Sequence, residues 1–99
     1  MSETDLVNAC LQYLSYRPWL YWRNNSGALP TAKGGFIRFG AVGSPDIFIL
    51  REGNLIGVEC KVGRNKQSPV QKNWEKIMER NGGRYWLIYD IETFISKLV

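Results

Sequence analysis

The chain contains no histidine. That absence removes Ser-His-Asp and Cys-His catalysis, zinc sites built on imidazole, and every nuclease mechanism that relies on a histidine base. Cysteine is scarce as well. Cys10 and Cys60 are too few for a disulfide framework or a four-cysteine zinc site. Each sits among apolar residues, so both are read as small core residues. Long hydrophobic runs are also missing: nothing approaches the ~18 apolar residues needed to span a bilayer. The opening MSETDL carries acids and no apolar stretch, unlike a secretory leader. No membrane partner is expected, and a reducing cytoplasm is the expected compartment. Repeats, low-complexity tracts and linkers are absent too. The 99 residues, 44% of them hydrophobic, are therefore expected to fold as one domain, 1–99, around one core.

What is present is basic charge in blocks. The net charge is +4 and the pI about 9.3. Between Asp5 and Asp46 stand Arg17, Arg23, Lys33 and Arg38 with no acid, and between Glu59 and Glu75 stand Lys61, Arg64, Lys66 and Lys72. Two one-sign segments of this kind suit a polyanionic partner.

Hydrophobic spacing gives the elements. Ser2 to Asp5 reads as a capping box, followed by Leu6, Val7, Cys10, Leu11 and Leu14 at helical period. Glu3 points along the middle of that apolar stripe, a position explained either by the helix dipole or by a site beyond it. RPWLYWR is a strand ending in Arg23, NNSGALPTAKGG a loop, and FIRFG a short strand. Asn24 and Asn25 suit a contact loop and a plain turn equally. After a central hairpin, GRNKQSP is a basic loop. Ser68, Pro69 and Gln71 take the N-cap, N1 and N3 positions of a second helix, with Val70, Trp74, Ile77 and Met78 on its apolar face. Gly82-Gly83 end that helix, RYWLIY is a buried strand, and Asp90 caps a last helix carrying Ile91, Phe94, Ile95 and Leu98. The order predicts an α/β fold in which the hairpin's second strand crosses over through a helix to a parallel neighbour.

The hairpin, GSPDIFILREGNLIGVECKVG from Gly43, holds charge where a hydrophobic ribbon gains nothing from it. Closure at Glu52-Gly53 pairs residue 51 with 54 and 50 with 55, and extrapolates to Asp46 opposite Glu59. Opposed residues share a sheet face with Cβ atoms about 4.5–5.5 Å apart. Lys61, two residues on, falls on that face, while Phe48, Leu50 and Leu55 make its other end apolar. Two facing carboxylates are destabilising unless a cation sits between them. Two carboxylates around a hard cation, with an ammonium beside them, also meet the needs of phosphodiester hydrolysis.

Pro45-Asp46 followed by Glu59-Cys60-Lys61 resembles the signature of the PD-(D/E)XK nucleases. With Glu3, WRNNSG at 22–27, RFGAVGSPD at 38–46, GVECK at 57–61 and SPVQ at 68–71, the chain resembles the VRR-NUC family (virus-type replication-repair nucleases) in its stand-alone form, over about residues 3–90. The resemblance implies a restriction-endonuclease-like αβββαβ core, a mixed sheet flanked by helices. It also implies a Mg²⁺-dependent DNA endonuclease, with Mn²⁺ able to substitute, in a bacterial or phage-infected cell. Asp46 and Glu59 would bind the metal with the backbone carbonyl of Cys60. Lys61 would orient the attacking water, Glu3 would reach the site through water or a second ion, and Gln71 would line it. Gln71 also completes a capping box, and one residue could do both. Arg23, Asn24, Asn25, Arg38, Arg64 and Lys66 are candidate DNA contacts.

Branched DNA, cut in the manner of a Holliday junction resolvase, is the expected substrate. A module that binds structured DNA without cutting it is the first alternative, and a duplex-cutting restriction-type nuclease the second. The working unit is expected to be a homodimer, because a four-way junction has two-fold symmetry and needs two matched nicks. Tyr16, Pro18, Trp19, Tyr21 and Trp22 offer apolar surface for it, unless they pack beneath the first helix.

Overall fold

The computed structural model describes residues 1–25 and 27–99, the side chains at 28, 38 and 39 excepted. Its elements run α1 (Glu3–Leu14), β1 (Leu20–Arg23), β2 (Gly27–Pro30), β3 (Phe36–Phe39), β4 (Ile47–Arg51), β5 (Asn54–Cys60), α2 (Pro69–Arg80), β6 (Arg84–Ile88) and α3 (Ile91–Leu98). The main sheet has the order β1-β4-β5-β6, and β2 and β3 form a separate two-stranded ribbon. With the ribbon set aside, the main sheet and its helices follow the order αβββαβ before the last helix. The fold is mixed α/β, as expected, with β5 and β6 parallel and the other pairs antiparallel.

The caps form where the sequence places them. Ser2 and Ser68 each make a complete capping box, with Asp5 and Gln71 respectively, and Asp90 Oδ1 accepts from the Thr93 backbone N–H. The α1 stripe Leu6, Val7, Cys10 and Leu14 packs with Phe94 and Leu98 of α3 onto Ile47, Ile49, Ile56, Val58, Cys60 and Ile88. Fully burying one such aliphatic side chain is worth about 1.5–3 kcal/mol, and this layer fixes one face of the sheet. Cys10 and Cys60 are buried free thiols within it. A hydrogen bond with Cys10, reinforced by burial, pushes the Cys60 thiol up, so Cys60 is no ready nucleophile.

The hairpin closes as predicted. Glu52 and Gly53 both take positive φ, 51° and 83°, as a two-residue type I′ turn requires. The ladder runs from Arg51–Asn54 to Ile47–Val58. It stops one pair short of the extrapolated Asp46–Glu59, since the chain bends at Asp46 and the Cys60 N–H goes to the Asp46 carboxylate in place of a backbone carbonyl. Asp46 instead donates its N–H to the Val58 carbonyl at 2.9 Å.

Three features depart from the sequence expectation. GALP, expected as loop, is the strand β2, paired with β3 from Gly27–Phe39 to Pro30–Phe36. Gly, Ala and Pro carry little strand preference, so β2 owes its form to its partner. The apolar face of α2 is also only partly covered. Met78 is buried, whereas Val70 and Ile77 remain exposed. Finally, the aromatic cluster divides: Trp19 and Tyr21 pack against the core, while Tyr16 and Trp22 stay outside.

Candidate active site

Asp46 and Glu59 meet at the end of the sheet remote from the hairpin turn. Each is carried there by a different constraint. Asp46 leads into β4 just after the rigid Pro45, and its Oδ2 accepts from the Cys60 backbone N–H at 2.8 Å. The segment before it is clamped from β1. Asn24 Nδ2 donates to Ser44 Oγ at 2.7 Å and to the Pro45 carbonyl at 2.9 Å, and the Asn24 backbone N–H reaches the Asp46 carbonyl at 2.7 Å. Glu59 alternates with the core residues Val58 and Cys60, and so emerges on the opposite face, toward α2. There its Oε2 accepts from Gln71 Nε2 at 3.2 Å. Gln71 in turn accepts the Ser68 N–H on its Oε1 at 2.8 Å. One side chain therefore closes the capping box and holds a site carboxyl.

The electrostatics are those of crowded acids. Only 2% of Glu59 is exposed. Burial first, and then the Asp46 charge, push its carboxyl up to about 8, with Glu3 adding to the rise and Lys61 opposing it. Asp46 is also raised, chiefly by burial and further by Glu3, against the lowering effects of the Cys60 N–H, Lys61 and its hydrogen bond with Glu59. Among the described residues, no N–H or hydroxyl donates to the buried Glu59 Oε1. A buried carboxyl oxygen without such a donor is costly, and the crowding of two carboxyls that a shared proton relieves is relieved by another cation as well.

Glu3 enters from the first turn of α1, where Asn65 Nδ2 donates to its Oε2 at 2.8 Å. Asn65 is fixed in the loop by Tyr89, whose hydroxyl donates to the Asn65 carbonyl at 2.8 Å. Sequence reasoning missed both partners, since 62 residues separate Asn65 from Glu3 and no local period links them. Among the described residues, no group of three or more His, Cys, Asp or Glu is placed to grip an ion unaided. Asp46 and Glu59 form the close pair, and Glu3 acts on both through its charge.

Of the remaining candidates, Lys61 lies just past β5 and is half-buried. Its backbone N–H donates to the Ile88 carbonyl at 2.9 Å, which continues the parallel pairing beyond the strand. Arg64 and Lys66 flank Asn65 and are exposed, so two cations stand on the loop that steadies Glu3. Arg23 and Asn25 are exposed beside the clamp, whereas both amide bonds of Asn24 are spent inside it. The Arg38 side chain lies outside the described residues.

The chain matches no protein-family model, and no curated protein matches it closely.

Proposed function

We propose that this chain is a metal-dependent DNA endonuclease that hydrolyses phosphodiester bonds, with Asp46, Glu59 and Lys61 as its catalytic set. The observation that carries this reading is the pairing of the half-buried Asp46 with the buried Glu59, whose Oε1 receives no N–H or hydroxyl among the described residues, within the electrostatic reach of Lys61. A purely structural strand end gains nothing from a buried acid whose proton affinity is raised by burial and by a second carboxyl beside it. The resemblance to VRR-NUC nucleases supports the same reading, since Asp46 and Glu59, two of the residues that carry it, are paired here.

The site fits a hard divalent cation such as Mg²⁺, with Mn²⁺ as substitute, because its side-chain donors are oxygens and one of them is unsatisfied. Asp46 and Glu59 would hold the ion together with the Cys60 backbone carbonyl, and Glu3 would contribute through water. When bound, the ion supplies Lewis-acid polarisation of the phosphate and a more acidic water. The rest falls to the chain. Gln71 holds Glu59 in one orientation, the Cys60 N–H does the same for Asp46, and Asn65 restrains Glu3. Lys61 orients the attacking water and stabilises negative charge as the phosphorus centre is attacked. Arg23, Arg64 and Lys66 line the approach and hold flanking phosphates.

Branched DNA is the proposed substrate and a homodimer the proposed working unit, with one site per chain serving each of two symmetric strands. The cytoplasm of a bacterium or of a phage-infected cell is the proposed setting. Asp46→Asn and Glu59→Gln test the site. Each removes a ligand's charge at constant volume, so cleavage is expected to fall below detection while folding and DNA binding persist. Metal-dependent cutting at the wild-type rate in either variant would remove the assignment and leave a DNA-binding module.

A further inference from the structure

At the far end of the main sheet from the acid pair, the hairpin turn, the start of β6 and the last turn of α3 border a cleft of about 260 Å³. Three cations line it, Arg51, Arg84 and Lys97, against one carboxylate, Glu52. They come from elements far apart in sequence, and the topology gathers them. Arg51 closes β4 at the turn, Arg84 opens β6 opposite Ile56 in the parallel ladder, and Lys97 lies in the last turn of α3. Cations do not converge without a cost unless an anion offsets it.

The cost is visible at Arg51. Its Nε is buried and has no hydrogen-bond partner among the described residues, an arrangement that is destabilising for a charged donor. The side chain is nonetheless held in place. The Arg51 guanidinium carbon stands 4.7 Å from the Trp19 ring centroid, and the same ring carries Arg17 at 4.9 Å. Lys97 Nζ stands 5.8 Å over the Trp86 ring, and Trp86 also lines the cleft. Stacking occupies the flat face of a guanidinium and leaves its edge donors for an acceptor in the plane.

We infer that this cleft binds a phosphate group. The lining offers an excess of two positive charges, and several donors that a tetrahedral oxyanion can satisfy together. The volume corresponds to roughly nine waters at ~30 Å³ each, room for a phosphate with part of an attached sugar. The phosphate comes either from the nucleic-acid backbone, beyond the stretch held at the acid pair, or from a free phosphate-bearing small molecule. The site does not depend on the nuclease reading, because none of its residues belongs to the catalytic set.

The test uses the full chain and the double variant Arg84→Gln, Lys97→Gln. Both side chains are exposed, so the fold is retained. Thermal unfolding is followed in inorganic phosphate and in chloride at equal ionic strength, and duplex-DNA affinity is measured against salt. If the ligand is a small molecule, phosphate raises the wild-type Tm above the chloride value, the double variant loses that rise, and the DNA salt slope stays the same. If it is the DNA backbone, the salt slope of the double variant falls by about 0.9 for each phosphate it no longer neutralises. A Tm equal in both salts together with an unchanged slope overturns the proposal. So does a phosphate-induced rise that survives in the double variant. Cleavage at saturating DNA should be the same in both proteins, so failure here is separable from failure of the acid pair.

Discussion

At the scale of single residues, Glu59 concentrates the site's chemistry, and its ionisation gives a prediction independent of catalysis. Its carboxyl moves from an ordinary 4.5 to about 8 on folding. Below the lower value it is protonated in both folded and unfolded chains. Between the two, the folded chain keeps a proton that the unfolded chain has released, so stability falls as pH rises through that window. Glu59→Gln should therefore raise the Tm of the metal-free protein at pH 9 by several degrees and change it little near pH 4.5, since about 1 kcal/mol is worth about 4–8 °C at this size. Thermal unfolding across pH measures this. A Gln variant less stable than wild type at pH 9 would mean that Glu59 is a satisfied structural acid. The residues legible in the sequence were those in the repeating pattern of the hairpin, where alternation and turn length fix the face of Glu59 and Lys61. Asn65 was not legible, nor was the clamp role of Asn24, because their partners are set by tertiary packing.

At the scale of elements, the site depends on how closely the segment before Asp46 crosses β5. A Cβ on Gly57 would lie 2.5 Å from Pro45 Cγ and 3.1 Å from the Met78 side chain. Met78 can swing aside, but the Pro45 ring cannot without shifting Asp46. Gly57→Ala should destabilise the fold by about 1–3 kcal/mol, as overpacking does, and cut activity well beyond that loss. Unfolding midpoints and cleavage rates, measured on the same preparation below its Tm, separate the two effects. Wild-type turnover in a folded Gly57→Ala protein would show that the Pro45–Gly57 packing does not position Asp46. Helices and caps were legible here because capping boxes and apolar stripes are local. The ribbon was legible only in part: FIRF has strand chemistry, while GALP becomes a strand through pairing alone.

At the scale of the whole molecule, the sheet face toward α2 is left bare beside β1. Leu20 is 62% and Trp22 43% exposed, and Leu50 and Leu55 continue the surface. The ribbon adds Leu29, Phe36 and Ile37, all exposed, and an isolated two-stranded hairpin is marginal in water without a partner. This apolar surface is what supports the proposed homodimer. Light scattering at micromolar concentration should give twice the chain mass, and Trp22→Glu should shift it toward the monomer. A strict monomer, with and without junction DNA, would move the function toward single-strand nicking. The central claim, a metal-dependent nuclease centred on Asp46 and Glu59, is tested most directly by one cleavage panel. The protein is incubated with single-stranded, duplex, flap and four-way-junction DNA, in Mg²⁺, in Mn²⁺ and in chelator, beside its Asp46→Asn variant. Wild type should cut in either metal, most strongly on the four-way junction, with no cutting in chelator or by the variant. No cutting of any substrate in either metal, or equal cutting by the variant, would contradict that claim.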